Sequence, residues 1–187
     1  MGNRGGALHN DQREVVRSFK TKCWLTCRLE FNGRHRVVMS PHHYTELFFL
    51  DEATAFAAGH RPCFECRRGR FNAFKDAWRS RSERTSSASL CAAEIDAELH
   101  QSRIDERGRK RTYQLPMISL PNGCFAQITS EAYLVWNDAL LLWTPEGYRR
   151  RICRPNQLTV TVLTPRPIVE CFQRGYAPEI HESARAQ

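Results

Sequence analysis

The feature that most constrains the fold of this chain is a Cys-x2-Cys pair, Cys63 and Cys66, which follows a glycine and a proline. Gly59 is placed to end a helix, and Pro62 turns the backbone directly before the first thiol. A Cys-x2-Cys turn brings two thiolates to one side of a tight loop, where both can bind one tetrahedral zinc ion. The pattern predicts a metal-binding knuckle and supplies half of a structural zinc site.

Two sources for the remaining ligands lie in the N-terminal third of the chain. Cys23 and Cys27 form a Cys-x3-Cys pair in a segment with strand-like composition. Residues four apart on a straight strand lie about 13 Å apart, whereas two sulfurs on one zinc lie within about 4 Å. Both thiols can bind the same ion only if the chain bends between them. His42 or His43 is the alternative source. The knuckle itself could instead be a redox dithiol, but no thioredoxin-like βαβ pattern surrounds it.

The charge of the chain favours a polyanionic partner. Its 187 residues carry a formal net charge of +8, and such a balance is typical of many nucleic-acid-binding proteins. A helix is predicted from about residue 66 to 81, with Phe71, Phe74 and Trp78 forming one apolar stripe. Its basic side chains would then face outward, either to solvent or to a phosphate backbone. The predicted nucleic-acid contacts are Arg61, Arg67, Arg68, Arg70 and Lys75.

The chain is predicted to have an α+β fold, with an N-terminal β-hairpin and helices around the zinc knuckle and a C-terminal antiparallel β meander. The hairpin is expected to join 23–31 to 34–39 through Asn32-Gly33. A short helix is expected to begin after Asp51 and to end at Gly59. Three regions follow from this pattern: a flexible N-terminus over 1–13, the zinc-knuckle and basic-helix region over 14–84, and a helix plus β-meander region over 90–187.

The expected location is cytoplasmic. No stretch of 18 apolar residues predicts a membrane span, and the N-terminus lacks the apolar core of a signal peptide. In a reducing compartment the eight cysteines favour metal binding or burial over a disulfide framework.

Residues 52–66 resemble a known family. The run Glu-Ala-Thr-Ala-Phe-Ala-Ala-Gly-His-Arg-Pro-Cys-Phe-Glu-Cys is similar to the second half of the zinc-binding domain of Ada-type DNA alkylation-repair proteins. In that domain an alanine-rich helix ends in Gly-Phe-Arg-Pro-Cys-x-x-Cys. The family binds zinc through a Cys-x3-Cys pair followed by a Cys-x2-Cys pair, and Lys20-Thr21 resembles the entry to the first pair. The resemblance covers at most residues 20–68.

The resemblance implies a zinc cofactor and DNA as the partner. The implied zinc ligands are Cys23, Cys27, Cys63 and Cys66. One zinc cysteine of the family accepts a methyl group from a DNA phosphotriester, and the matching position here is Cys23. The Pro-Cys-His-Arg signature of the family's alkylguanine-repair domain is absent from this sequence.

The sequence therefore predicts a zinc-stabilised nucleic-acid-binding protein related to DNA repair. The alternative is an enzyme that acts on nucleic acid or on a nucleotide, with a pocket between the helical and β halves. A structural interaction module with a basic face is a third class. The sequence contains no Walker loop, dinucleotide-binding fingerprint, His-Glu-x-x-His motif or nucleophile elbow.

Overall fold

The computed structural model describes residues 1–33, 37–81 and 90–185. Within these residues the helices are α1 (Glu52–Ala57), α2 (Arg68–Arg79), α3 (Ala92–Arg103) and α4 (Arg166–Gln173). Three two-residue strands lie in the N-terminal third: β1 (Gly2–Asn3), β2 (Leu25–Thr26) and β3 (Arg61–Pro62). The longer strands follow α3: β4 (Tyr113–Pro116), β5 (Phe125–Ile128), β6 (Glu131–Trp136), β7 (Ala139–Thr144), β8 (Gly147–Cys153) and β9 (Thr159–Val162).

The C-terminal strands form one antiparallel sheet in the order β4-β9-β5-β6-β7-β8. Three successive hairpins join β5 to β8, as a meander requires. The turn between β6 and β7 uses Asn137 at a φ of +53°, a conformation that asparagine tolerates better than most residues. The predicted α+β fold with a C-terminal antiparallel meander is confirmed.

The main hydrophobic core lies between this sheet and the helices. Phe71, Phe74 and Trp78 of α2 are buried, as the predicted apolar stripe requires. Phe74 packs against Phe56 of α1, with 5.3 Å between the ring centroids. Helix α1 is thereby fixed against both α2 and the sheet, and the segment that follows α1 leads directly into the cysteine knuckle.

Helix α1 has the predicted caps. The Asp51 side chain accepts a hydrogen bond from Thr54 N at 2.8 Å, and Gly59 has a φ of +82°. A Cβ atom at Gly59 would lie 2.7 Å from Cδ of Arg103. Both the positive φ and this close approach therefore require glycine.

The smaller sheet has the order β1-β2-β3. β1 pairs with β2 in antiparallel fashion, and β2 pairs with β3 in parallel, with Leu25 opposite Arg61 and Thr26 opposite Pro62. An N-terminal antiparallel pair is therefore present, but the partner of the 23–31 segment is β1. Residues 34–36 of the predicted return strand lie outside the described residues.

The N-terminal segment differs from the flexible terminus predicted for residues 1–13. Gly2 and Asn3 form β1, and Leu8 is buried. Backbone hydrogen bonds join Gly2 to Leu47 in both directions, so the first residues of the chain belong to the small sheet. The predicted region boundary at residue 84 lies outside the described residues. Within the described part of the chain, no helix is long and apolar enough to cross a membrane.

Candidate metal centre

Three thiols from distant parts of the chain meet beside the small sheet. The Sγ atoms of Cys27, Cys63 and Cys66 all lie within 4.8 Å of one another. Cys63 and Cys66 are buried and Cys27 is half-buried. Sulfurs that share a tetrahedral zinc lie about 3.5–4 Å apart, so a small contraction would close the group around an ion. The three residues could hold a metal.

The parallel pairing of β2 with β3 brings Cys27 to Cys63. Each cysteine follows the last residue of its strand, Thr26 and Pro62, and these two residues are paired. Cys63 N donates to Thr26 O at 3.0 Å, which continues the ladder to the thiols. Cys66 lies just before α2, and its Sγ accepts from Arg28 N at 3.4 Å. Backbone geometry thus fixes all three positions.

The three thiols perturb one another's pKa values. A hydrogen bond from Cys27 lowers the pKa of Cys63 to about 5. The same hydrogen bond, followed by burial, raises the pKa of Cys27. Burial also raises the pKa of Cys66. A group with one stabilised thiolate and two nearby thiols matches the soft, anionic donor set that binds zinc.

Cys23, the fourth predicted ligand, lies outside this group. Its Sγ accepts from Nη2 of Arg61 at 3.7 Å, beside the carboxylate of Asp96. Burial, together with the negative charge of Asp96, raises the pKa of Cys23 to about 11. Cys23 and Cys27 are four residues apart on an extended segment, which separates their side chains along the sheet. Its position gives no support to the methyl-acceptor role that the resemblance implies for Cys23.

The alternative histidine ligands also lie elsewhere. His42 and His43 are exposed, and Nδ1 of His43 lies 2.9 Å from Pro41 O. Within residues 1–33, 37–81 and 90–185, the three-thiol group is the only cluster of His, Cys, Asp or Glu with metal-ligand spacing. A tetrahedral ion held by it would keep one position for another ligand.

A cavity of about 350 Å³ adjoins the three thiols. Glu46 lines it and is 8% exposed. One carboxylate oxygen, Oε2, accepts from Met39 N at 2.9 Å. The other, Oε1, is buried and has no hydrogen-bond partner in the described part of the chain. A small molecule in this cavity would contact the thiols and meet an unused hydrogen-bond acceptor.

The predicted nucleic-acid contacts fall into two groups. Arg61 is 1% exposed and forms a buried ion pair with Asp96 at 2.6 Å. Arg67 and Arg70 both pair with Glu52. These three arginines are engaged within the protein, and Arg61 is closed to solvent, so its prediction as a phosphate contact is corrected. Arg68 is exposed and Lys75 is half-buried, so both can still reach a partner.

Exposed apolar side chains lie near the three-thiol group. Leu29 and Phe48 line the same cavity and are 71% and 62% exposed. Phe64, between two of the cysteines, is 55% exposed. Arg28 follows Cys27 and is also exposed. Sequence patterns did not identify this rim, because Arg28, Leu29 and Phe48 come to one cavity only in the fold.

Comparisons of the chain with protein-family models, with curated proteins and with solved structures find no match. The resemblance to the Ada-type zinc domain over residues 20–68 therefore stays a prediction, and the function is argued below from the geometry of the site.

Proposed function

We propose that the protein binds one zinc ion through Cys27, Cys63 and Cys66, and that the face around this ion binds nucleic acid. The observation that carries the proposal is the convergence of three thiols within 4.8 Å. Thiolate donors favour zinc among the common divalent ions of cells. The ion would tie the ends of β2 and β3 to the start of α2.

The zinc content of variants in which one or two cysteines are replaced by serine tests the zinc proposal. We expect about one zinc per chain by elemental analysis of protein purified without chelator. Cys27→Ser and the Cys63→Ser/Cys66→Ser double variant should lose most of the metal, since three protein ligands hold it. Cys153→Ser, at an exposed thiol, serves as the control and should retain it.

Cys23→Ser separates the three-thiol centre from the four-cysteine site that the resemblance implies. In the three-thiol arrangement this variant should keep about one zinc per chain, because Cys23 contacts Arg61 and lies outside the group. A loss of zinc in Cys23→Ser equal to that in Cys27→Ser would show that the three-thiol assignment is wrong.

The nucleic-acid part of the proposal is supported by the composition of the rim. Phe48 and Phe64 are exposed aromatic side chains near the metal centre, and such rings stack on unpaired bases. Arg28 lines the same cavity as Phe48. Arg28 and Arg68 are exposed, and the whole chain carries a net charge of +8. Stacking side chains interleaved with basic ones are typical of surfaces that bind single strands. DNA is the partner that the resemblance implies.

Salt dependence tests this surface. In fluorescence anisotropy with a short single-stranded DNA, affinity should fall steeply with salt, and Arg28→Gln/Arg68→Gln should reduce the log–log slope by about 1–2 units. Arg107→Gln/Arg149→Gln, which removes two exposed charges from other parts of the surface, is the matched control. Phe64→Ala should weaken binding by about 1–3 kcal/mol through lost stacking.

Absence of binding to DNA and RNA at low salt would disprove the nucleic-acid part and leave the zinc centre intact. If the control variant reduced the salt dependence of DNA affinity equally, the overall charge of the protein would account for binding, and the surface around the thiols would not be the binding site.

A further inference from the structure

A second cavity, of about 460 Å³, lies between the helical half and the large sheet. One end is lined by three basic residues, Arg4, Arg103 and Lys110. Most of the other lining residues are apolar, among them Phe125 and Trp143 of the large sheet, and Ser18 and Thr54 add two hydroxyl groups. None of the described residues that line this cavity is acidic.

The three basic groups contact neutral partners. Arg4 donates to Ser18 O at 3.0 Å and Arg103 donates to Gly59 O at 2.9 Å. Lys110 Nζ donates to Ala57 O at 2.5 Å. Within the described residues none of the three forms an ion pair. The carboxylate of Asp96, which lies near Arg103, is already bound at both oxygens by Arg61.

This concentration of positive charge is costly without an anion. Arg103 is 1% exposed, and desolvation lowers its pKa to about 9. Lys110 is exposed over much of its side chain, and desolvation at its ammonium group, which donates to Ala57 O, lowers its pKa to about 8. Burying a cation such as the Arg103 guanidinium without a counter-ion costs several kcal/mol as an order of magnitude, and a perturbed group of this kind in a cavity is typical of binding sites.

Two buried donors in the cavity residues are also unused. Nε of Arg103 and Nε1 of Trp143 are buried and have no hydrogen-bond partner among the residues that the structure describes. Buried polar groups without partners are uncommon in folded proteins. A ligand with hydrogen-bond acceptors would satisfy both groups and supply the missing negative charge.

We propose that this cavity binds a nucleotide, with its phosphate against Arg4, Arg103 and Lys110 and its planar ring against Phe125 and Trp143. Guanidinium groups and ammonium groups are the usual protein ligands of phosphate. The cavity volume is that of an ordinary small-molecule site, which spans about 300–1,000 Å³. Aromatic walls suit a heterocyclic ring, which excludes a bare inorganic anion as the best-fitting ligand.

The cationic end is pre-formed. The guanidinium carbons of Arg4 and Arg103 lie 4.0 Å and 3.8 Å from the ring centroid of Trp24, and stacking of this kind holds a guanidinium in place. Among the described residues, this cavity and the cavity beside the three thiols share no lining residue. The nucleotide site and the metal centre are therefore separate, and one can fail without the other.

Calorimetric titration of the full-length, zinc-containing protein with AMP, adenosine and inorganic phosphate tests the proposal. We expect AMP to bind with one site per chain, and adenosine and phosphate to bind at least about tenfold more weakly, since each lacks part of the recognised ligand. Trp143→Phe keeps an aromatic side chain but removes the indole N–H, and it should weaken AMP binding severalfold.

Lys110→Met tests the charge, with Arg107→Met as its matched control on the same loop. Removing a charge-assisted hydrogen bond to phosphate should weaken AMP binding about tenfold or more, whereas the exposed Arg107 should change it less than about twofold. Thermal unfolding of each variant checks that the fold is retained. Equal affinity for adenosine and AMP would overturn the phosphate assignment, and equal affinity for phosphate and AMP would overturn the ring assignment. Absence of AMP binding at millimolar concentration, or equal losses in Lys110→Met and Arg107→Met, would overturn the site.

Discussion

Replacing Glu52 with alanine should lower the free energy of unfolding by about 3–5 kcal/mol, because the half-buried guanidinium groups of Arg67 and Arg70 then lose the fully buried carboxylate that holds them. The Glu52 side chain has no exposed surface and pairs with both Arg67 and Arg70. It also accepts from the Tyr176 hydroxyl at 3.0 Å and from Glu179 N at 2.9 Å. Urea unfolding of the wild type and the variant under the same conditions measures the loss.

Glu179→Ala is the matched control, since Glu179 pairs with the same two arginines. Its side chain is 61% exposed, and exposed ion pairs contribute about 0–1 kcal/mol. The loss in this control should therefore stay below about 1 kcal/mol. Equal destabilisation by the two substitutions would show that burial of the Glu52 carboxylate does not set the strength of this network.

Local sequence signals predicted the parts of the fold that depend on neighbouring residues. The two ends of α1 were predicted from Asp51 and Gly59, because a helix cap and a positive φ depend only on residues close in sequence. The strand β8 was not predicted, because three successive arginines, 149–151, occupy its exposed centre and hide the alternation that marks a strand.

The three-thiol group was predicted only in part. Spacing alone identifies Cys63 and Cys66, since a Cys-x2-Cys turn brings its thiols together. The convergence of Cys27 with them depends on the parallel pairing of β2 with β3, which joins segments that no local pattern links. The geometric argument that a straight strand separates Cys23 from Cys27 agrees with their observed positions.

The charge pattern misled the prediction for the arginines around α2. Composition shows a local excess of positive charge, but it cannot show that Glu52, Asp96 and Glu179 fold onto that segment. The partners lie 15 to 112 residues away along the chain. Arg61 and Arg67 therefore form ion pairs within the protein, although the sequence alone suggests that they are surface charges.

Replacing Asp96 with alanine should also destabilise the protein by about 3–5 kcal/mol. Asp96 of α3 accepts two hydrogen bonds from Arg61 of β3, at 2.8 Å and 2.6 Å. The two side chains are 9% and 2% exposed. Truncation would leave the guanidinium of Arg61 buried, with Pro62 O and Cys23 Sγ as its remaining hydrogen-bond acceptors among the residues that the structure describes. Chemical denaturation with circular dichroism detection measures the change.

Two further variants test whether the loss of stability comes from an unpaired buried charge or from the removal of any acidic residue of α3. Glu98→Ala removes a carboxylate from the same helix that is 48% exposed and pairs with Arg81, and it should cost less than about 1 kcal/mol. Arg61→Met/Asp96→Ala removes both charges and should be more stable than Asp96→Ala alone, since the penalty comes from the unpaired guanidinium. The opposite result, a double variant less stable than Asp96→Ala, would contradict this explanation. It would show that Arg61 stabilises the fold mainly through its contacts with Pro62 O and with the Phe71 ring, and not through its charge.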